Sequence, residues 1–329
     1  MSDRRKHTLR DLSWRPLALI LLALPAAAST TQGQTPLIEV VPARPAPGAL
    51  VRLSLKMPVT ADSVIWIRGS MAGEPLHFIE AGNHTWRALG AVPIDGGDKV
   101  SARAIVERAS GALDTVRTTL TIPALEEVSV TGSPQLAVSS RFTRPLDAAT
   151  QARVARENAL ARAVGSRAHD SPPRWTGAFL QPRTSRVTSR FGTGRAFNGA
   201  IASRHLGVDF AGAVGAPIKA ANRGVVALVD TFFLAGRVIY IDHGAGVVTG
   251  YFHLSEPLVS VGDTVTRGQT IGRVGSTGRV TGPHLHWTAR YGTQTIDPLD
   301  LVELESGWYG LTEHEPSQST RASPGGSKY

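Results

Sequence analysis

Short apolar runs separated by turn residues dominate the chain, and they limit what it can fold into. Seven such runs lie between residues 36 and 125, with alternating apolar positions such as Val51, Leu53 and Leu55. Alternation puts apolar side chains on one face of a strand, and closely spaced short strands are typical of antiparallel sheets. Similar runs return between residues 178 and 302, where glycines separate them. We therefore predict a mainly β protein.

The first group of runs, residues 36–125, predicts a two-sheet sandwich. It resembles an immunoglobulin-like module. The disulfide of such modules is absent, because the chain has no cysteine. That absence also excludes thiolate metal ligands and a cysteine nucleophile. The histidines of this module, His77 and His84, have no spacing typical of a metal site. We interpret the module as a spacer or substrate-positioning domain.

A signal peptide is predicted at residues 1–28. Basic residues up to Arg15 precede the apolar run PLALILLALPAAAST, which contains small residues at Ala26, Ala27 and Ala28. This order is typical of an export signal, and the run is shorter than the roughly 20 apolar residues that span a bilayer. We expect cleavage near Ala28, no stable membrane span afterwards, and an exported protein in the periplasm or cell envelope.

The positive charge of the chain does not predict a nucleic-acid partner. Five basic and two acidic residues of segment 1–28 supply +3 of the formal net charge of +9. The remaining charge is scattered as single arginines rather than gathered in clusters. Scattered arginine is more typical of a solvated surface than of a phosphate-binding stripe. We therefore expect no nucleic acid among the partners.

Residues 126–175 are predicted to link two domains and to contain one long helix at about 147–164. The segment LDAATQARVARENALARAVGS is rich in alanine and arginine, both strong helix formers. Asp147 is a suitable N-cap, and Gly165 is expected to end the helix. The sequence therefore predicts a helical connection between the sandwich and the second β region.

Other polar features outside the two β regions have simple interpretations. Arg153 and Glu157 have the i,i+4 spacing of an ion pair on the charged face of the helix, which we expect to be solvated. His169, in the following linker SRAHDSPPR, has no predicted role. Residues 305–329 form a polar tail with the composition of a disordered segment.

The second domain, predicted at residues 176–304, contains five of the ten histidines. In the run HLGVDF, His205 and Asp209 are four residues apart. A helix would align them, but Gly207 and the β-branched Val208 favour a strand or loop. The two side chains can then share an ion only if the chain bends, and Gly207 is the obvious place for a bend.

A second pair, His284 and His286 in PHLHW, occupies one face of a strand with Cα atoms roughly 7 Å apart. One could hold a metal while the other reaches a group bound to it. His243 in IDHG is best explained by hydrogen-bonded core packing, with bracing of the site as the alternative. His253 in GYFHLS could be half-buried and structural. Two histidines and a carboxylate also hold Fe(II) in oxygenases, so the residues alone leave an iron enzyme open.

Residues 178–302 resemble a known family. The motifs HLGVDF, GAPIKAANRGVV, VIYIDHGAGVVTGYFHLS, VGDTVTRGQTIGRVGSTGRVTGPHLHW and IDPLDL are similar to those of the lysostaphin-type (LytM-like) zinc metalloendopeptidases, which cut peptidoglycan cross-bridges. FGTGRAFNG and the immunoglobulin-like module are similar to segments of its long exported bacterial members. The resemblance implies a compact antiparallel β fold with a metal groove.

This resemblance also implies roles for five residues. It assigns one Zn²⁺ per chain to His205, Asp209 and His286, and catalysis by a metal-activated water to His253 and His284. The implied activity is hydrolysis of peptide cross-links, with the peptide stems of peptidoglycan as partner. All five positions are filled, whereas some relatives have lost ligands and act only as regulators. A catalytically silent or latent wall-binding activator of another hydrolase is the alternative from a different class.

Three further residues are candidate accessories. Tyr251 could donate a hydrogen bond to the tetrahedral intermediate, and His243 could brace the site. Some relatives are latent because an amino-terminal segment blocks the groove, so Asn198 in FNGAIAS or the helix at 147–164 could do the same here. The sequence favours no particular cross-link type or oligomeric state.

Overall fold

The computed structural model describes residues 35–305, and these are mainly β, which confirms the predicted fold class. The predicted signal peptide and residues 306–329 of the predicted tail lie outside the described residues. Between residues 35 and 305, no helix is both long and apolar enough to cross a membrane.

Eight strands form a sandwich within residues 36–125. They are β1 (Leu37–Val41), β2 (Leu50–Lys56), β3 (Val64–Met71), β4 (Glu74–Leu76), β5 (Ile79–Glu80), β6 (Thr85–Ala91), β7 (Lys99–Arg108) and β8 (Leu113–Thr121). One sheet has the order β1-β2-β6-β5 and the other β4-β3-β7-β8, with every neighbouring pair antiparallel. The predicted run PLHFIEA is divided between β4 and β5, which belong to different sheets.

Alternation explains how these strands form a core. In β7, Val100, Ala102 and Ala104 are buried, whereas Ser101 and Arg103 between them are exposed. Successive side chains of a strand point to opposite faces. The buried residues of both sheets therefore meet in one apolar cluster, which excludes water from the space between them.

Helix α1 (Ala148–Arg167) connects the two β regions and is longer than predicted. Its N-cap is Asp147, whose side chain accepts a hydrogen bond from the backbone N–H of Thr150 at 2.7 Å. The predicted end at Gly165 is wrong, because the helix continues past it. Gly165 serves packing instead, since a Cβ at this position would lie 1.8 Å from the carbonyl oxygen of Gly292.

The charged face of α1 is not simply solvated, contrary to the prediction. Arg153 does pair with Glu157, with Nε and Oε1 2.6 Å apart. Glu157, however, is buried, and its second oxygen accepts a hydrogen bond from the backbone N–H of Phe233 at 2.8 Å. This carboxylate therefore fastens the helix to the second domain.

The second domain is built on one large sheet. Its strands and those of a small neighbouring sheet are β9 (Gln135–Leu136), β10 (Val187–Ser189), β11 (Gly194–Phe197), β12 (Ile201–Arg204), β13 (Val208–Ala211), β14 (Pro217–Lys219), β15 (Gly224–Phe232), β16 (Gly236–Gly244), β17 (Val247–Pro257), β18 (Thr264–Val265), β19 (Thr270–Val274), β20 (His284–Tyr291) and β21 (Gln294–Ile296), followed by α2 (Leu299–Val302). Short 3-10 turns occur at Ser140–Phe142 and Ala168–Asp170. The large sheet has the order β10-β13-β20-β17-β16-β15-β18, with β14, β19 and β21 paired at its sides.

The small sheet, with the order β12-β11-β9, brings the linker to the second domain. Strand β9 belongs to the linker and pairs in parallel with β11. Asn198 extends this pairing, because its side chain accepts from the N–H of Val138 at 2.9 Å and donates to the carbonyl of Val138 at 2.8 Å. The linker is therefore tied to the strand next to the candidate site.

A group of polar side chains, Glu74, His77 and His169, joins the sandwich to the linker and the second domain. His169 Nε2 lies 3.0 Å from Glu74 Oε2, and His169 Nδ1 lies 2.8 Å from His77 Nε2. Glu74 Oε1 accepts from the backbone N–H of Thr293 at 2.9 Å and from its hydroxyl. We call Glu74, His77 and His169 the interdomain cluster.

A second polar contact also joins the sandwich to the second domain. Asp300 Oδ2, in α2, accepts from the backbone N–H of Leu50 in the sandwich at 2.7 Å. Burial raises the pKa of Asp300 to about 7, and the neighbouring carboxylates of Asp297 and Glu303 add to the shift. The carboxylate is thus held where its charged form is disfavoured.

Candidate metal centre

The three predicted ligands meet where β13 and β20 pair. Strands β13 and β20 pair antiparallel, and the register puts Asp209 directly opposite His286. A bend at Gly207 returns His205 to the same point. Glycine is required there, because a Cβ would lie 2.6 Å from both His286 Nε2 and the carbonyl oxygen of Trp287.

The ligand atoms converge closely. His205 Nε2 lies 3.0 Å from Asp209 Oδ1 and 2.9 Å from His286 Nδ1, and the last two atoms are 3.0 Å apart. All three residues are buried or nearly so. We call them the His-Asp-His cluster.

Hydrogen bonds outside the cluster fix which atoms face inward. His205 Nδ1 lies 2.8 Å from the carbonyl oxygen of Arg190, which can only accept, so the proton is on Nδ1 and the lone pair of Nε2 faces the cluster. The ring of His286 stacks on Phe252, with centroids 5.2 Å apart. Burial lowers the pKa of His286 to about 4, so this ring is neutral at pH 7.

Asp209 is held as a carboxylate. Burial raises its pKa, but the contacts with His205 and His286 outweigh this and hold the pKa well below its usual range. Its second oxygen, Oδ2, accepts from Arg195 Nη2 at 2.5 Å. One oxygen therefore faces the imidazoles, and an arginine orients the other.

The donor set fits a divalent metal such as zinc. Tetrahedral zinc sites, with bonds of about 2.0–2.1 Å, space their ligand atoms about 3.3–3.4 Å apart, and the separations here are 2.9–3.0 Å. Two imidazole nitrogens with facing lone pairs repel each other at such a distance unless a cation or shared proton lies between them. Two neutral histidines and one carboxylate are also the ligand types that zinc prefers.

The two predicted catalytic histidines lie beside this cluster. The ring of His253 is 4.9 Å from that of His284 and 5.9 Å from that of His286, measured between centroids. Nδ1 of His253 donates to the carbonyl of Thr277, and Nδ1 of His284 to that of Gly282, both at 2.8 Å. In each ring the nitrogen left to accept a proton is therefore Nε2, and Nε2 of His284 is 3.7 Å from Asp209 Oδ1.

His253 is held in an unusual environment. Its φ of 64° lies in the left-handed region, which non-glycine residues rarely adopt and which is common at functional sites. Burial lowers the pKa of His253 well below its ordinary value, and the nearby imidazoles of His284 and His286 lower it further. The ring is therefore a neutral proton acceptor at pH 7.

A cleft of about 740 Å³ opens over Asp209, His253 and His284. One wall comes from the linker and β11, including Leu136, and another from residues 279–283. The volume is in the range typical of ligand sites. The histidine pair is thus accessible to a substrate.

The three accessory candidates lie elsewhere. The Tyr251 hydroxyl accepts from the N–H of Ala221 at 2.8 Å and from the hydroxyl of Thr249 at 3.0 Å, inside the core. His243 is buried between the carbonyl of Arg223 and the same Thr249 hydroxyl. The side chain of Asn198 binds the linker backbone. We leave all three out of the proposed catalytic set.

Arg195 is the site residue that sequence reasoning missed. It lies in the quoted segment FGTGRAFNG, but no spacing connects it with Asp209, fourteen residues further on. Only the pairing of β11 with β12, followed by the bend at Gly207, brings the two together. A local motif could not have revealed it.

Comparisons with known proteins agree with this geometry. The model of Peptidase family M23 matches residues 203–298, which include all five candidate residues. Peptidoglycan DD-endopeptidase ShyA of Vibrio cholerae is 48% identical over 83 residues, which cover 25% of this chain and 19% of the relative. DD-carboxypeptidase/endopeptidase Mpg of Neisseria meningitidis is 41% identical over 98 residues, covering 30% of this chain and 23% of the relative.

The similarity to solved structures extends further along the chain. A crystal structure from Pseudomonas aeruginosa, assigned to peptidase M23, superposes with a TM-score of 0.58 at 25% identity, covering 79% of this chain and 95% of that one. The chain matches only about a fifth of the length of the curated relatives above. The predicted resemblance is nevertheless confirmed for the second domain. Residues 203–298 of this chain therefore form a Peptidase family M23 domain.

Proposed function

We propose that this chain is a zinc-dependent endopeptidase that hydrolyses peptide cross-links of bacterial peptidoglycan. The observation that carries the proposal is the His-Asp-His cluster with two further histidines, His253 and His284, beside it in an open cleft. The similarity to ShyA and ShyC of Vibrio cholerae, both peptidoglycan DD-endopeptidases, supports peptidoglycan as the substrate.

The residues present suit hydrolysis of an amide. Zinc, held by His205, Asp209 and His286, would supply a Lewis acid that polarises the scissile carbonyl and lowers the pKa of water to about 7. The Nε2 atoms of His253 and His284 are free to take the proton of the attacking water as its oxygen bonds to the carbonyl carbon. When the C–N bond breaks, one of these imidazoles returns the proton to the leaving amine.

The proposed location is the periplasm or cell envelope. Peptidoglycan lies outside the cytoplasmic membrane, and the predicted signal peptide at residues 1–28 would bring the protein there. The sandwich would then position the M23 domain on its polymeric substrate. This part of the proposal depends on the sequence pattern and on the relatives' names rather than on the site.

The test compares cleavage products released from purified peptidoglycan by the zinc-loaded protein and by its His284→Asn variant. We expect loss of about 10²–10⁴-fold in rate, because a positioned proton-transfer group is removed, with zinc content unchanged. His84→Asn is the matched control, since His84 is exposed on the sandwich and asparagine tolerates its left-handed backbone.

Wild-type activity in His284→Asn would contradict the assigned role. If neither protein released products while both contained zinc, the alternative of a silent or latent activator would replace the proposal.

A further inference from the structure

Three arginines line the cleft, and two of them, Arg195 and Arg279, are partly buried whereas Arg190 is exposed. Arg195, on β11, donates to Asp209 Oδ2, and its side chain is only 15% exposed. Arg279, on the loop before β20, places its guanidinium carbon 4.0 Å from the ring centroid of Phe197, also on β11. Both arginines line the cleft with His253 and His284.

The charges at this end of the cleft do not balance. Asp209 is the carboxylate among the lining residues, and its two oxygens already face the histidines and Arg195. Among residues 35–305, no ion pair joins Arg279 to a carboxylate. Burial lowers the pKa of Arg279, and the Arg195 cation lowers it further. Two neighbouring cations in a partly buried position are costly unless an anion accompanies them.

Two contacts hold Arg279 in place. The face of the Phe197 ring attracts the guanidinium. The backbone N–H of Arg279 donates to the carbonyl of Leu234 at 2.8 Å, which holds the loop. Beside it, a Cβ at Gly282 would contact nothing within 4 Å, so there is open space for a ligand. The edge of the guanidinium that does not contact Phe197 can therefore meet a bound group.

We propose that Arg279, supported by the positive field of Arg195, binds a free carboxylate of the peptide stem next to the scissile bond. The proposal rests on the proposed function, because peptide stems of peptidoglycan carry free carboxylates. A planar guanidinium matches a carboxylate with two parallel hydrogen bonds, which also orients the peptide. The enzyme would thus prefer stems with an unmodified carboxylate over stems in which it is amidated.

The experiment measures kcat/KM for two synthetic cross-linked stem dimers that differ only in having free carboxylates or carboxamides. We expect the zinc-loaded wild-type protein to prefer the carboxylate form by about tenfold to hundredfold, the range for one charge-assisted contact. In Arg279→Gln this ratio should fall toward one, and in Arg279→Lys it should be partly retained. Arg273→Gln, which removes an exposed arginine outside the cleft, should keep the wild-type ratio.

The outcomes separate the two proposals. Equal cleavage of both dimers by the wild type, or an unchanged ratio in Arg279→Gln, would overturn the carboxylate site while leaving peptidase activity established. If the wild type cleaved neither dimer, calorimetric binding would decide. Binding of the carboxylate form that is lost in Arg279→Gln would support the site without the proposed function, and binding that ignores Arg279 would overturn it. Melting temperatures of each variant identify a folding defect.

Discussion

The His-Asp-His cluster and the interdomain cluster both combine histidine and carboxylate side chains that are buried or half-buried, and they differ in how their atoms are arranged. In the His-Asp-His cluster, three atoms converge to within 3.0 Å of one another. In the interdomain cluster, the contacts run in a chain from Thr293 through Glu74 and His169 to His77. The residue types are the same, and the geometry differs.

The chain arrangement pairs every donor with an acceptor. Glu74 accepts from His169 Nε2, and His169 Nδ1 accepts from His77 Nε2, so no lone pairs face each other. Burial raises the pKa of Glu74, but its contacts with His169 and Thr293 outweigh this and lower it. This group is complete without an ion. Convergence of three ligand atoms on one point, rather than residue type, is what distinguishes a candidate metal site.

The largest effect that tests this difference between the two clusters is expected from Asp209→Asn. We expect zinc affinity to fall by at least about 100-fold, because a charged ligand is removed and Arg195 is left without its partner. Zinc titration against a chromophoric chelator measures the change. Glu74→Gln, in the other cluster, is the matched carboxylate control and should retain wild-type affinity. Equal losses in the two variants would contradict the distinction drawn here.

Glu74→Ala is expected to have a smaller effect, on the stability of the fold rather than on zinc binding. Its removal leaves buried groups of His169 and Thr293 without partners, so the free energy of unfolding should fall by about 2–4 kcal/mol. Urea denaturation of the zinc-loaded protein gives this value, and metal analysis should show unchanged zinc content. A variant as stable as the wild type would mean that the interdomain cluster contributes nothing net.

The smallest effect concerns the second polar contact, at Asp300. Its folded pKa of about 7 lies above the value of 3.8 for an unperturbed aspartate, so the folded state favours the protonated form. The stability it contributes is complete below about pH 4 and is lost as the pH rises to about 7.

Asp300→Asn should remove this part of the pH dependence, a difference of about 1–3 kcal/mol across the window after allowance for solvent screening. Denaturation curves at pH 4, 5, 6 and 7 for both proteins measure it. Identical slopes in the two proteins would show that Asp300 does not titrate across this interval.

Much of this organisation could be predicted from the sequence, because it depends on local patterns. Alternation in runs such as 99–108 indicated strands, and the pairs His205/Asp209 and His284/His286 indicated a shared site. Contacts between distant segments could not be predicted. His169 had no predicted role, yet its partner Glu74 is 95 residues away in the chain. Gly165 was predicted to end the helix because its packing partner, the carbonyl of Gly292, is distant in the sequence and could not be foreseen.

The contact between Gly165 and Gly292 has a consequence for mutational tolerance. At Gly292 a Cβ would lie 2.0 Å from Glu74 Oε2, and at Gly165 it would collide with the Gly292 backbone. In a survey of all single substitutions, we expect these two glycines to be as depleted as the proposed metal ligands, although neither lines the cleft. Intolerance to substitution would therefore identify two separate regions of this protein. In the candidate site, side chains are needed for their chemistry. At Gly165 and Gly292, close packing leaves no space for a Cβ atom.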